Sequence, residues 1–180
     1  MPNATQSNTK TTLHTIQIAE SRPIAVSLAV LQATTFQEME QVRCLFKEYA
    51  ASIGVDLCFQ DFEQELKQLP GEYSEPKGSV LLAFHGSALV GCVALRPLAS
   101  EACEMKRMYV RPQFRGKGIG RVLAQRIIGE ARKRGYKKMR LDSLPAMTEA
   151  QALYRSLGFR EIGAYRPNPI EGALYMELQL

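Results

Sequence analysis

The chain has no apolar run long enough to cross a bilayer, no C-x-x-C spacing among its four cysteines, and only two histidines in 180 residues. The first lack argues against a membrane-spanning protein. The amino terminus also lacks a charged start followed by an apolar block and a cleavage-like site, so a cytoplasmic protein with no membrane partner is expected. The cysteines, at 44, 58, 92 and 103, lie in apolar helical or strand-like contexts with only His14 and His85 as further soft ligands. That pattern predicts reduced, mostly buried thiols and no metal. His85 itself reads as a surface residue at a turn. No internal repeat is present. What the chain does have is 46% hydrophobic residues in a length that suits one well-buried core and not two. Residues 1–22, rich in Thr, Asn, Gln and Ser, are expected to form a flexible tail, and 23–180 a single domain.

Aliphatic and β-branched residues from Ile24 to Ala33 predict a first strand. Thr35, with Glu38 three residues on, is the signature of a helix start. The apolar stripe Phe36, Met39, Val42, Leu45, Phe46, Tyr49 carries that helix through Ala50 to a stop at Gly54. A second helix is expected over Gln60 to Leu69, ended by Pro70-Gly71. Strands follow at Ser79–His85 and Ala88–Leu95, joined as a hairpin through His85-Gly86-Ser87, and a third runs from Glu101 to Val110. After a glycine-rich loop and its helix, Lys138–Asp142 reads as a strand, Thr148–Leu157 as a helix closed by Gly158, and Phe159–Ala164 and Leu174–Leu180 as the last strands.

The loop is Val110-Arg-Pro-Gln-Phe-Arg-Gly-Lys-Gly-Ile-Gly-Arg-Val122. Gly116, Gly118 and Gly120 allow successive amides to point into one concavity. Ile119, Val122, Leu123, Ile127, Ile128 and Ala131 start a helix inside the loop, aiming its unpaired first-turn amides at the same place. An anion there gains amide hydrogen bonds and the helix dipole together, and Arg115, Lys117 and Arg121 add charge suited to more than one phosphate. A dinucleotide fingerprint would need glycine at 121 and a Walker loop glycine at 111; both positions are arginine. What remains, Arg115-x-x-Gly118-x-Gly120, resembles the acetyl-CoA-binding motif of the GNAT acyltransferase superfamily. Ala150-x-x-Leu153-Tyr154-x-x-x-Gly158-Phe159 resembles a later motif of the same family, and the element order from Ile24 onward matches it.

The resemblance implies a mixed α/β (α+β) fold, with a mostly antiparallel sheet of about seven strands flanked by about four helices. It implies an N-acetyltransferase that uses acetyl-CoA as co-substrate and passes the acetyl group to a primary amine of a small molecule or peptide in a ternary complex. The alternative is a non-catalytic acyl-CoA-binding regulatory module. The coenzyme would be held by Arg115, Gly116, Lys117, Gly118, Ile119, Gly120 and Arg121 and by the backbone of Met108, Tyr109 and Val110, whose amides would also polarise the acyl carbonyl. In the family this strand is bulged and parts from the next one, which alternation in a sequence does not reveal. Glu104 matches the position of a general base, with a pKa raised by partial burial; the other reading is an ion pair with Lys106 or Arg140. Tyr154 matches the residue that protonates the departing thiolate, against simple packing with Ala150 and Leu157. Many members have Asn where this chain has Met147, so one polar contact differs. Cys103 neighbours Glu104 but alternates to the opposite face, which leaves it out of a nucleophile role.

Charge is uneven. Residues 104–140 hold thirteen Lys/Arg against two Glu, whereas 55–75 hold six Asp/Glu against one Lys. The basic block lacks the interleaved aromatics of a base-stacking surface, so no nucleic-acid partner is expected. Asp56, Asp61 and Glu65 would attract a cationic acceptor or form a solvated helix face. Tyr165 and Arg166, in a stretch stiffened by Pro167 and Pro169, are candidate acceptor-binding residues; Arg166 would hold a carboxylate or pair with Glu171. The two hints about acceptor charge disagree and stay open, as does a homodimer through sheet edges near the carboxyl end.

Overall fold

A computed structural model describes residues 27–55, 57 and 61–180. The tail expectation, the first residues of the predicted first strand, Asp56 and Cys58 lie outside them. The elements are β1 (Leu28–Gln32), α1 (Phe36–Ile53), α2 (Phe62–Gln68), β2 (Ser79–His85), β3 (Ala88–Pro97), β4 (Ala102–Val110), α3 (Ile119–Lys133), β5 (Lys138–Ser143), α4 (Thr148–Ser156), β6 (Arg160–Ile162) and β7 (Leu174–Gln179).

They build one sheet in the order β1-β2-β3-β4-β5-β7-β6. Every neighbouring pair is antiparallel except β4 and β5, which are parallel because the chain crosses over through α3 between them. Two cores result, one on each face. Leu123, Ile127 and Ile128 of α3 pack with Met105, Met139, Leu141 and Tyr154 on one side. Val42, Leu45 and Phe46 of α1 pack with Val80, Leu82, Ala94 and Tyr109 on the other. Leu66 of α2 joins the second core.

Local signals act as expected at both ends of α1. The Thr35 hydroxyl accepts from the Glu38 amide at 3.2 Å while Glu38 Oε2 accepts from the Thr35 amide at 2.8 Å, a reciprocal cap. Gly54 closes the helix at φ 64°. The helix runs three residues beyond Ala50 because Gly54, not the end of the apolar stripe, is where the backbone can turn.

Two irregularities in β4 shape the site. Cys92 faces Tyr109 and Ala94 faces Lys106 across the β3/β4 ladder, so Val93 lies opposite two residues, Arg107 and Met108. This is a β-bulge, and Arg107 takes the left-handed conformation at φ 54° to make it. Gly91 sits where the strands come closest: a Cβ there would meet the Tyr109 carbonyl oxygen at 2.4 Å. The second irregularity is a fork. β4 and β5 pair only over Ala102↔Lys138, Cys103↔Met139 and Glu104↔Arg140, after which β5 stays with β7 while β4 stays with β3.

Candidate active site

The fork is a narrow slot of about 60 Å³. Lys106, Arg107 and Met108 of β4 form one wall, and Asp142 and Ser143 of β5 the other. Tyr154 of α4 and Tyr49 of α1 close it from the two sides of the sheet. The β4 edge facing β5 carries no ladder partner from Met105 to Val110. The backbone polar groups on that edge, those of Met108, Tyr109 and Val110 among them, are therefore without a partner from β5, and Met108 lines the slot itself.

The glycine-rich loop stands at the open end of β4. Gly116 and Gly118 have φ of 74° and 77°, and α3 begins at Ile119 with no side chain capping it. The amides of its first turn have no partner within the helix by geometry. Nothing lies within 4 Å of a Cβ placed at Gly116 or Gly118, so glycine is needed there for conformation. At Gly120 a Cβ would reach Leu153 Cδ2 at 3.6 Å, an ordinary contact, so neither space nor a positive φ requires glycine there. Ile119 turns into the core and contributes to the loop only its backbone. The basic side chains are less mobile than the sequence suggests. Arg115 Nε donates to the Val110 carbonyl at 3.0 Å, Lys117 lies over the Phe114 ring, and Arg121 donates to Ser156 Oγ at 2.8 Å. Arg111 is bound to Glu48 by two hydrogen bonds and serves as a strap between β4 and α1.

Glu104 lies at the closed end of the fork and is 0% exposed. Its Oε2 accepts from Arg96 Nε at 2.8 Å, its Oε1 accepts from the Tyr165 hydroxyl at 2.7 Å, and Arg166 Nε lies 3.4 Å from that same oxygen. The hydrogen bonds come from Arg96 and Tyr165, not from Arg140 as one reading expected. Arg96 lies opposite Glu104 on β3 and Arg140 opposite it on β5, but Arg140 is drawn to Glu177 and to the face of the Tyr165 ring, and Lys106 feels Glu104 through charge. Glu104 does not line the slot.

Arg166 also differs from expectation. Its partner is Asp142, at 2.6 Å, and not Glu171, and Asn168 donates to the other Asp142 oxygen at 3.1 Å. Both candidate acceptor residues are thereby tied to Glu104 and Asp142, which anchors the segment after β6 to β4 and β5. Burial and the Glu104 carboxylate push the Tyr165 phenol well up, so it remains a hydrogen-bond donor. Burial pushes the Tyr154 phenol up as well and keeps its proton in place.

Lys106 and Asp142 face each other across the slot, and the sequence reading gave neither a place there. Lys106 is 5% exposed and its Nζ lies 3.8 Å from Asp142 Oδ1. Burial drives its pKa down, Glu104 and Asp142 oppose that, Arg107 and Arg166 reinforce it, and the result is about 7. Burial raises the Asp142 carboxyl, but Lys106 and Arg166 outweigh it and hold the group below the usual aspartate range. The signal in the sequence was a lysine two residues from Glu104, hence on the same strand face, followed by an arginine whose bulge no pattern predicts.

The acidic segment is largely committed to structure. Glu65 forms a two-point ion pair with Arg107 and accepts from the Tyr73 hydroxyl at 2.6 Å. Asp61, Glu72 and Arg96 border a separate cavity of about 260 Å³ beside α2. Met147 stands before α4 without capping it, and the loop there is pinned instead by buried Gln151, whose amide donates to the Leu144 carbonyl at 2.8 Å. Cys92 and Cys103 are buried, whereas Cys44 is exposed on the solvent side of α1. His85 is half-buried against the Phe114 ring. Among the described residues no cluster of His, Cys, Asp or Glu is arranged to hold a metal ion, and no helix is long and apolar enough to cross a membrane.

This architecture is shared by yncA of Salmonella typhimurium, solved with acetyl-CoA, which superposes with a TM-score of 0.62 at 21% identity over 84% of this chain and 93% of its own. An acetyltransferase from Streptococcus agalactiae gives a TM-score of 0.70 at 20% identity over 85% of this chain and 98% of its own. In sequence, an uncharacterized N-acetyltransferase of Schizosaccharomyces pombe is 38% identical across 88% of this chain and 98% of its own length. The profile of the acetyltransferase (GNAT) family matches residues 39–159. With the forked sheet, the bulged strand and the glycine loop all in that matched stretch, the chain belongs to the GNAT acetyltransferase family.

Proposed function

We propose that the protein transfers the acetyl group of acetyl-CoA to a primary amine bound in the same slot. The observation that carries this reading is the fork: β4, whose edge towards β5 is unpaired beyond Glu104, runs from a slot lined by Tyr154, Lys106 and Asp142 to the glycine-rich loop before α3. The residues present fit the coenzyme. The loop 115–121 offers a concave run of amides with Arg115, Lys117, Gly118, Gly120 and Arg121 around it, suited to a pyrophosphate. The open edge of Met108, Tyr109 and Val110 suits an amide-bearing arm.

Acetyl-CoA supplies an activated thioester when bound. The backbone amides of the β4 bulge would polarise the acyl oxygen at no reorganisation cost, since the ladder already fixes their direction. Tyr154, held protonated by burial, would give its proton to the departing sulfur. Tyr165 and Arg166 would order the segment that covers the acceptor, using Glu104 and Asp142 as anchors. The test is calorimetric titration with acetyl-CoA followed by thiol release across amines, polyamines, amino acids and short peptides. Binding with release for one acceptor class is expected. Binding without release across the panel would reassign the protein as an acyl-CoA-binding module, and absence of binding would overturn the reading of the loop.

A further inference from the structure

Within that reading, the proton acceptor has to be found among groups that face the slot. Glu104 does not: it is fully buried behind the wall, and each of its oxygens already accepts a hydrogen bond, one from Arg96 and one from Tyr165. We propose that Lys106, on the slot wall beside Asp142, is the general base that deprotonates the acceptor ammonium, with Glu104 a positioning residue.

Three observations converge on Lys106. It lines the slot itself, on the same wall as Met108. Alternation from Met105 and Leu141, both in the α3-side core, puts Lys106 and Asp142 on the opposite face. Tyr154 stands on the α3 side, so base and acid approach the fork from its two faces. The charged groups around Lys106 are also balanced for the task. Glu104 from β4 and Asp142 from β5 favour its ammonium form, Arg107 from β4 and Arg166 from the segment after β6 oppose it, and burial decides, bringing the group to about 7. A base is most effective when its pKa lies near the working pH. Asp142, 3.8 Å away, then stabilises the ammonium once the proton has arrived.

The proton balance closes. Lys106 takes one proton from the acceptor ammonium, and the freed nitrogen lone pair forms the C–N bond as the C–S bond breaks and its electron pair leaves on sulfur. Tyr154 gives that sulfur its proton and recovers one from the acylated nitrogen, while Lys106 returns its own to solvent. One proton is released per amide formed.

Two measurements test this. The first is trace labelling with acetic anhydride across pH, read at Lys106 by peptide mass spectrometry. A midpoint near 7 is expected, with protection by coenzyme A, and a midpoint in the ordinary lysine range of about 10.4 would overturn the proposal. The second is the pH profile of kcat/KM in wild type, Lys106→Met, Lys106→Arg and Glu104→Gln. Wild type should rise with pH through about 7. Both Lys106 variants should lose that limb and fall roughly a hundredfold or more at pH 8, with acetyl-CoA affinity kept. Lys106→Arg keeps the positive charge without a usable base, so its loss separates proton transfer from charge. Glu104→Gln should keep the limb. A limb retained in Lys106→Arg, or abolished in Glu104→Gln alone, would return the base role to Glu104. Wild type without turnover on any amine would instead refute the transferase reading itself.

Discussion

Arg107 turns the β4 bulge and fills the floor of the slot, so its replacement by methionine tests whether the bulge is held by the buried ion pair beneath it. The Arg107 side chain is 2% exposed and its partner Glu65 14%. Methionine keeps most of the stem and inherits the same left-handed backbone, so the difference lies in the lost guanidinium. That leaves Glu65 buried with one neutral donor, Tyr73. Breaking a buried pair from one side costs about 3–5 kcal/mol, which for a chain of this size lowers Tm by roughly 10 °C. In wild type, burial raises the Glu65 carboxyl but Arg107 and Tyr73 outweigh it, so its pKa is depressed. Its stabilisation is therefore present above the ordinary glutamate value and lost as pH falls through the lower folded one. In Arg107→Met the dominant remaining influence is burial, which reverses the sign: the cost is present at neutral pH and relieved on acidification. Urea unfolding at pH 7 and pH 5 should show the gap between the two proteins narrowing at the lower pH. The double variant Arg107→Met/Glu65→Met should recover most of the loss, because a well-packed apolar pair replaces a buried ionic one at little net cost. A single-variant loss under about 1 kcal/mol, or a double variant as unstable as the sum of its parts, would refute the argument.

Lys106→Met removes a group whose folded pKa is depressed to about 7, so wild type should gain stability relative to the variant as pH rises from about 7 towards the unfolded value, and a difference in Tm that does not change across that range would refute the shift. Gly118→Asp puts a side chain in the left-handed region and a negative charge at the start of α3; calorimetry should show at least roughly a tenfold loss of acetyl-CoA affinity, and unchanged affinity would refute the cradle. Tyr154→Phe should lower kcat by about a hundredfold or more while sparing coenzyme affinity and Tm, and full turnover would remove Tyr154 from the acid role.

The sequence alone determined most of the element order. Thr35 with Glu38, Gly54, Pro70-Gly71, Gly135 and Gly158 are local devices that act through the backbone of their own few residues, and each marks a boundary in the structure. The glycine-rich loop was legible for the same reason, since Gly116 and Gly118 serve a conformation set within the loop. Cys103 and Glu104 separated onto opposite faces as period-two alternation requires. What only the tertiary structure decided are the features that depend on a neighbouring strand. The bulge at Arg107 breaks alternation and is stabilised by Glu65, 42 residues earlier. The fork exists because β5 and β4 each follow a different partner after Glu104 and Arg140. The described partners of Glu104, Asp142 and Lys106 come from β3, β4, β5 and the segment after β6, and the electrostatics of a buried group are set by whatever the packing brings within a few ångströms of it. No local pattern encodes that, which is why a lysine read in the sequence only as a partner for Glu104 becomes a titratable group on the slot wall.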